Sequence, residues 1–86
     1  MKLEPKVLRL IAVGASITAN CQPCLQTNVS KALEAGAGEQ EIAEAIEVGK
    51  RVRQGAASKM DTFVSSLHQA VPLITGPSKE GCDCNS

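Results

Sequence analysis

The sequence predicts an all-α fold, a small subunit of three to four helices that includes a long helical hairpin. Three observations predict it. Apolar residues recur at three- and four-residue steps through three successive segments, and no segment alternates at the two-residue period of a strand. Asn20, the pair Gly36 and Gly38, and Pro72 fall between or after those segments, where helices stop. The apolar residues are mostly Ala, Val, Ile and Leu, with Phe63 the single aromatic, and such small side chains let helices pack closely.

The first helix is expected from Glu4 to Asn20. Leu3, Val7, Leu10, Gly14, Ile17 and Cys21 form one apolar stripe, which Leu8, Ile11 and Val13 widen. A helix apolar on more than one side calls for burial on more than one side, which points to packing between subunits. Asn20 is expected as the N-cap of a second helix, Cys21 to about Ala35, with Pro23 in the first turn, where its missing N–H costs little. Leu25, Val29, Ala32 and Leu33 supply its buried stripe, and Gly36 and Gly38 end it.

Glu39 and Glu41 open a third helix, where acidic residues suit the positive end of the dipole. Ile42, Ile46, Gly49, Val52, Ala56, Met60, Phe63 and Leu67 carry the periodicity to about His68, with Gly49 and Gly55 as points of bending or division. Met60 and Phe63 read as packing residues, and His68 as a cap or surface residue. Residues 1–75 are expected to form the helical domain. Residues 76–86 lack periodicity and read as a mobile tail carrying Cys82 and Cys84.

The 86 residues make one domain, short enough that sharing core between subunits would help it fold. The formal net charge is zero and there is no Trp or Tyr to stack on bases, so nucleic acid is not an expected partner. Lys50, Arg51 and Arg53 follow Glu39, Glu41, Glu44 and Glu47, an order that reads as a solvated helix face. No apolar run reaches the length of a membrane span. Glu4, Pro5 and Arg9 disfavour reading the apolar stretch Val7 to Ala19 as a cleaved signal. The expected compartment is the cytoplasm, where four cysteines in a short chain point to reactive or metal-binding thiols.

Cys21-Gln22-Pro23-Cys24 is a C-x-x-C at the start of a helix. Two thiols in a first helical turn can close a disulfide with little rearrangement, and the free N–H groups there stabilise a thiolate. Thiolate is the nucleophile in disulfide exchange and in attack on peroxide. The motif alone leaves a redox dithiol, a zinc site and an inert structural pair open. Ser58, Ser65 and Ser66 have no base nearby in sequence, which leaves a hydrolase without support.

Asn20-Cys-Gln-Pro-Cys-Leu25, the turn Glu34-Ala-Gly-Ala-Gly38, Glu41-Ile-Ala-Glu-Ala-Ile-Glu-Val-Gly49 and Val52-Arg-Gln-Gly-Ala-Ala-Ser-Lys-Met-Asp61 together resemble the alkylhydroperoxidase D and carboxymuconolactone decarboxylase family, in its short single-motif form. The resemblance implies an all-α subunit that assembles into trimers or hexamers. It implies a thiol-dependent peroxidase or disulfide reductase that needs no bound cofactor. Peroxide is its substrate, and its electrons come from a partner dithiol or lipoyl group. Cys21 and Cys24 match the family's dithiol. The family usually gives the nucleophile role to the second Cys, whereas the helix-terminus argument favours Cys21. Asn28 stands at the family's His position and can orient by hydrogen bonds but not take a proton near neutral pH. Arg9 stands at the family's proton-relay Glu and, if near the thiols, would favour thiolate without relaying protons. The chain shows no set of substrate-binding bases for decarboxylation.

Two other functions remain open at this level. Cys82 and Cys84 could join Cys21 and Cys24 in holding a soft metal or a metalloid such as arsenite. Alternatively, the chain keeps the fold as an inactive scaffold.

Overall fold

The computed structural model describes residues 2–70, with side chains as far as Leu67. The expected stop at Pro72, the boundary after residue 75 and the Cys82–Cys84 tail lie outside the described residues. Three helices follow in order: α1 (Pro5–Thr18), α2 (Gln22–Glu34) and α3 (Glu39–Ala70). No strand occurs among the described residues, and the all-α fold is the one the periodicity predicts. The chain divides into one compact unit ending at Gly55 and a second beginning at Ala56.

Both connections in the first unit are the same device. α1 ends on Ala19, and Asn20 turns into the left-handed region at φ 56°. The N–H of Asn20 then donates to Ile17 O at 3.0 Å, and that of Cys21 to Ser16 O at 3.0 Å. These two bonds satisfy carbonyls that the helix end would leave bare. Gly36 repeats the turn at φ 96° after α2, with its N–H on Leu33 O at 3.0 Å and that of Ala37 on Ala32 O at 2.9 Å. The expected role of Asn20 is corrected here: it closes α1, and Cys21 is the N-cap of α2. Asn suits both tasks, because it caps helices and tolerates left-handed backbone better than most residues.

The start of α3 has the glutamate half of a capping box, Gly38 having no side chain to return the bond. Glu41 accepts the N–H of Gly38 on Oε1 at 2.9 Å, and its Oε2 accepts from Lys6 Nζ at 3.1 Å, tying α3 to α1. The Gly38 N–H first, and Lys6 second, hold the carboxyl below its ordinary value of 4.5. A carboxylate lowered on folding contributes stability that is fully present above its unfolded pKa and is lost as pH falls through the folded one. We therefore expect Glu41→Gln to lower the melting temperature at neutral pH. The gap to the native protein should close as pH drops below about 4.5. Thermal melts across pH 3 to 7 check this, and a gap independent of pH would refute it.

The core of the first unit is small: Val13, Ala32, Ala37 and Ile42 are buried, with Leu10, Leu25, Val29, Ala45 and Ile46 packed around them. The expected stripes are shifted accordingly. Val13, read as widening the first stripe, sits at its centre, while Leu3, Val7 and Ile11 are exposed. Leu33 and Val52 are also exposed, against expectation. Apolar spacing marks a helix face as buriable, but it does not say what covers that face.

Gly49 sits where α1 crosses α3. A Cβ built there would run into Gly14 O and lie 2.8 Å from the Ile17 Cβ, and one on Gly14 would lie 3.1 Å from Ala45 O. The pair therefore sets a backbone-to-backbone approach; helical backbone continues through Gly49 and Gly55, and the first compact unit ends at Gly55. The Thr18 hydroxyl lies 3.2 Å from both Gly14 O and Gly49 O and can donate to either across the crossing.

In the second unit, Met60 and Phe63 are exposed, which corrects their reading as packing residues. With Val64 they form an apolar stripe on α3 that is largely uncovered.

Candidate functional site: the dithiol corner of α1 and α2

The turn after α1 delivers Cys21 to the head of α2. Asn20 in its left-handed conformation directs the Cys21 N–H back to α1, and Cys21 then adopts the extended backbone of an N-cap (φ −107°, ψ 99°). Its Sγ accepts the backbone N–H of Cys24 at 3.3 Å, the place usually filled by a Ser or Asp oxygen. Pro23 lies in that first turn, where no helical N–H bond is lost. Cys21 and Cys24 are joined as a disulfide with their Cα atoms 5.2 Å apart. Cys24 is exposed and Cys21 half-buried, so the pair can be reached from solvent.

Behind the dithiol lies a polar cluster between α1 and α2. Asn28, one turn after Cys24, accepts from Arg9 Nη1 on Oδ1 at 3.3 Å and donates from Nδ2 to Ser16 Oγ at 3.1 Å. Ser16, itself buried, donates its own hydroxyl to Ala12 O at 2.7 Å. Arg9 and Asn28, which the resemblance set at the expected Glu and His positions, thus meet each other. Neither can act as a base at neutral pH: the guanidinium stays charged and the amide does not titrate. The cluster ties α1 to α2 around a fixed positive charge.

On the other side of Cys21, a cavity of about 250 Å³ opens between Ser16, Ile17, Asn20, Leu25 and Arg53. Arg53 reaches it from α3. Its Nη1 donates to Asn20 Oδ1 at 2.9 Å and to Ile17 O at 3.4 Å. Sequence reading placed Arg53 on a solvated face and missed it as a site residue. The available signal was its place one turn beyond Gly49: a close crossing of α1 and α3 there carries the next turn of α3 past the end of α1. Asn20 and Ser16 were missed for the same reason, since their partners lie far away in sequence.

Cys82 and Cys84 lie outside the described residues, as does the side chain of His68. Among the described residues, no three or more His, Cys, Asp or Glu side chains gather as a metal site. No described helix is long and apolar enough to cross a membrane.

A helical fold with a solvent-reachable disulfide at the head of its second helix defines a small all-α dithiol protein. The family model described as the carboxymuconolactone decarboxylase family matches residues 1–60 of the 86, and the chain belongs to that family. No curated protein and no solved structure matches the chain.

Proposed function

We propose that this protein is a thiol–disulfide oxidoreductase with peroxidase-like activity, cycling Cys21 and Cys24 between dithiol and disulfide. The observation that carries the reading is the disulfide seated on the N-terminus of α2, with the Cys24 N–H directed at Cys21 Sγ. In the reduced protein that N–H and the helix dipole favour a thiolate at Cys21. Thiolate attack on a peroxide breaks the O–O bond, giving a sulfenic acid and an alcohol. The second thiol then condenses with the sulfenic acid, forming the disulfide and releasing water. A dithiol partner or lipoyl group returns two electrons by exchange, so one peroxide and one dithiol become one alcohol, one water and one disulfide.

A cytoplasmic setting, where reductants are abundant, suits that cycle. The functional unit we infer is a homo-oligomer, a trimer or hexamer. An apolar groove of about 470 Å³ between α1 and α3, bordered by the exposed Val7, Ile11, Val48 and Val52, supports this reading by offering a face for a second copy to cover. Arg9 and Asn28 act as positioning residues at the α1–α2 corner without proton transfer, so activation rests on the N–H donors at the head of α2.

The test is alkylation of the reduced protein at Cys21 and Cys24, read separately by mass spectrometry across pH. Cys21 is expected to react as thiolate well below the free-Cys value of about 8.5. Added peroxide should re-form the Cys21–Cys24 disulfide, and a dithiol should sustain turnover. Ordinary titration at both positions, with no peroxide-driven disulfide, would sink the reading.

A further inference from the structure

We propose that the cavity beside Cys21 is a binding subsite for a small thiol or disulfide bearing a carboxylate, with Arg53 receiving the carboxylate. This inference rests on the redox reading of Cys21 and Cys24 and adds the chemical class of the exchanging partner.

Four observations converge. The cavity is about 250 Å³, room for a small molecule or the end of one, and Cys21 forms part of its wall. Among the described residues, Arg53 is the one charged residue lining it. No carboxylate lies within ion-pairing distance of Arg53 among the described residues, whose two ion pairs join Lys6 to Glu41 and Arg51 to Glu47. Finally, the guanidinium is held in place: its two bonds, to Asn20 Oδ1 and Ile17 O, both use Nη1. The remaining N–H donors keep the fork geometry that suits a carboxylate, and half-burial strengthens such a pair. Ile17 and Leu25 add an apolar wall for the carbon chain between sulfur and carboxylate.

The chemistry balances as simple exchange. A substrate thiolate attacks Cys21 Sγ, the Cys21–Cys24 bond breaks, and Cys24 leaves as thiolate and takes up a proton. A second substrate thiol, deprotonated to thiolate, then attacks the sulfur of the first in the mixed disulfide. Cys21 leaves as thiolate, and two substrate thiols have become one disulfide while the protein has gained two electrons. The same steps run backwards when the reduced protein meets a disulfide substrate.

The experiment uses the full-length chain with Cys82 and Cys84 changed to Ser, reduced, so that only Cys21 and Cys24 report. Two aromatic disulfides serve as probes: dithiobis(nitrobenzoic acid), which carries carboxylates, and the neutral dithiodipyridine. Stopped-flow release of the aromatic thiol gives the rate for each. Arg53→Gln is expected to slow the carboxylate-bearing probe about tenfold, the equivalent of one good charge contact, and to leave the neutral probe within about twofold. Arg53→Lys should recover part of the loss, and added salt should slow only the charged probe in the parent protein. Equal slowing of both probes would mean that Arg53 acts on the thiolate or the fold, and no change in either would mean that it touches no ligand; each result overturns the proposal. If neither probe reacts faster with the parent protein than with an unstructured cysteine peptide, the redox reading fails first, and the subsite with it.

Discussion

Replacing Gly49 by Ala is expected to destabilise the protein by about 2 kcal/mol or more, the upper range of overpacking in a closed interface. Alanine is the better helix former by about 1 kcal/mol, so propensity alone predicts the opposite sign. Geometry decides. The new methyl would meet Gly14 O and the Ile17 Cβ, and the first of these is main chain held in α1. A carbonyl within a helix cannot swing away as the end of a long side chain can, so α1 and α3 would have to part. Parting them also strains the Thr18 bridge to Gly49 O and lifts the neighbouring turns off Ala45. Gly55→Ala is the internal control: nothing lies within 4 Å of its added Cβ, and it should gain up to about 1 kcal/mol. Urea unfolding of the two variants, compared at equal slope, separates them by sign. A neutral or stabilising Gly49→Ala would show that the crossing is looser than its backbone contacts imply.

Changing either cysteine of the pair to Ser is expected to abolish cycling between dithiol and internal disulfide, since that bond needs both sulfurs. The two variants should fail differently. In Cys24→Ser, Cys21 keeps the N-cap site and its wall of the cavity, so its thiolate should attack a substrate disulfide, release one half as thiol and retain the other as a stable mixed disulfide. In Cys21→Ser, the hydroxyl takes over the capping of the Cys24 N–H, a role serine fills well. The helix should therefore persist while the exposed Cys24 forms adducts more slowly. Intact-mass measurement after incubation with oxidised and reduced thiols, on chains lacking Cys82 and Cys84, distinguishes the two. Equal adduct formation at both sites would remove the asymmetry assigned to Cys21.

Much of this architecture was legible in the sequence because it depends on local periodicity. The helix bounds, the turn at Gly36 and the acidic opening of α3 all follow from residues within one or two turns of each other. The thiol pair was legible for the same reason. Asn20 was misplaced by one role because the chemistry that makes Asn a cap also makes it a tolerable left-handed residue. Only its partners, the Cys21 N–H on Ser16 O and the Arg53 guanidinium on its side chain, decide between the two. Arg53 itself was hidden, since a basic residue after a run of glutamates looks solvated until the crossing at Gly49 is known. The meeting of Arg9 with Asn28 is also a product of tertiary packing, spanning two helices. Met60 and Phe63 show the reverse error: their spacing promised a covered face, and they stand exposed.

The small core has a thermal consequence. A unit whose buried apolar residues are Val13, Ala32, Ala37 and Ile42 uncovers little hydrocarbon when it melts. The heat capacity of unfolding grows with newly wetted apolar area, and it sets the curvature of stability against temperature. For this unit as a single copy the dome is expected to be shallow, with stability changing gently between cold and warm; apolar area covered by a second copy would steepen it. Denaturant, whose leverage scales with the same exposed area, acts on it through a broad transition.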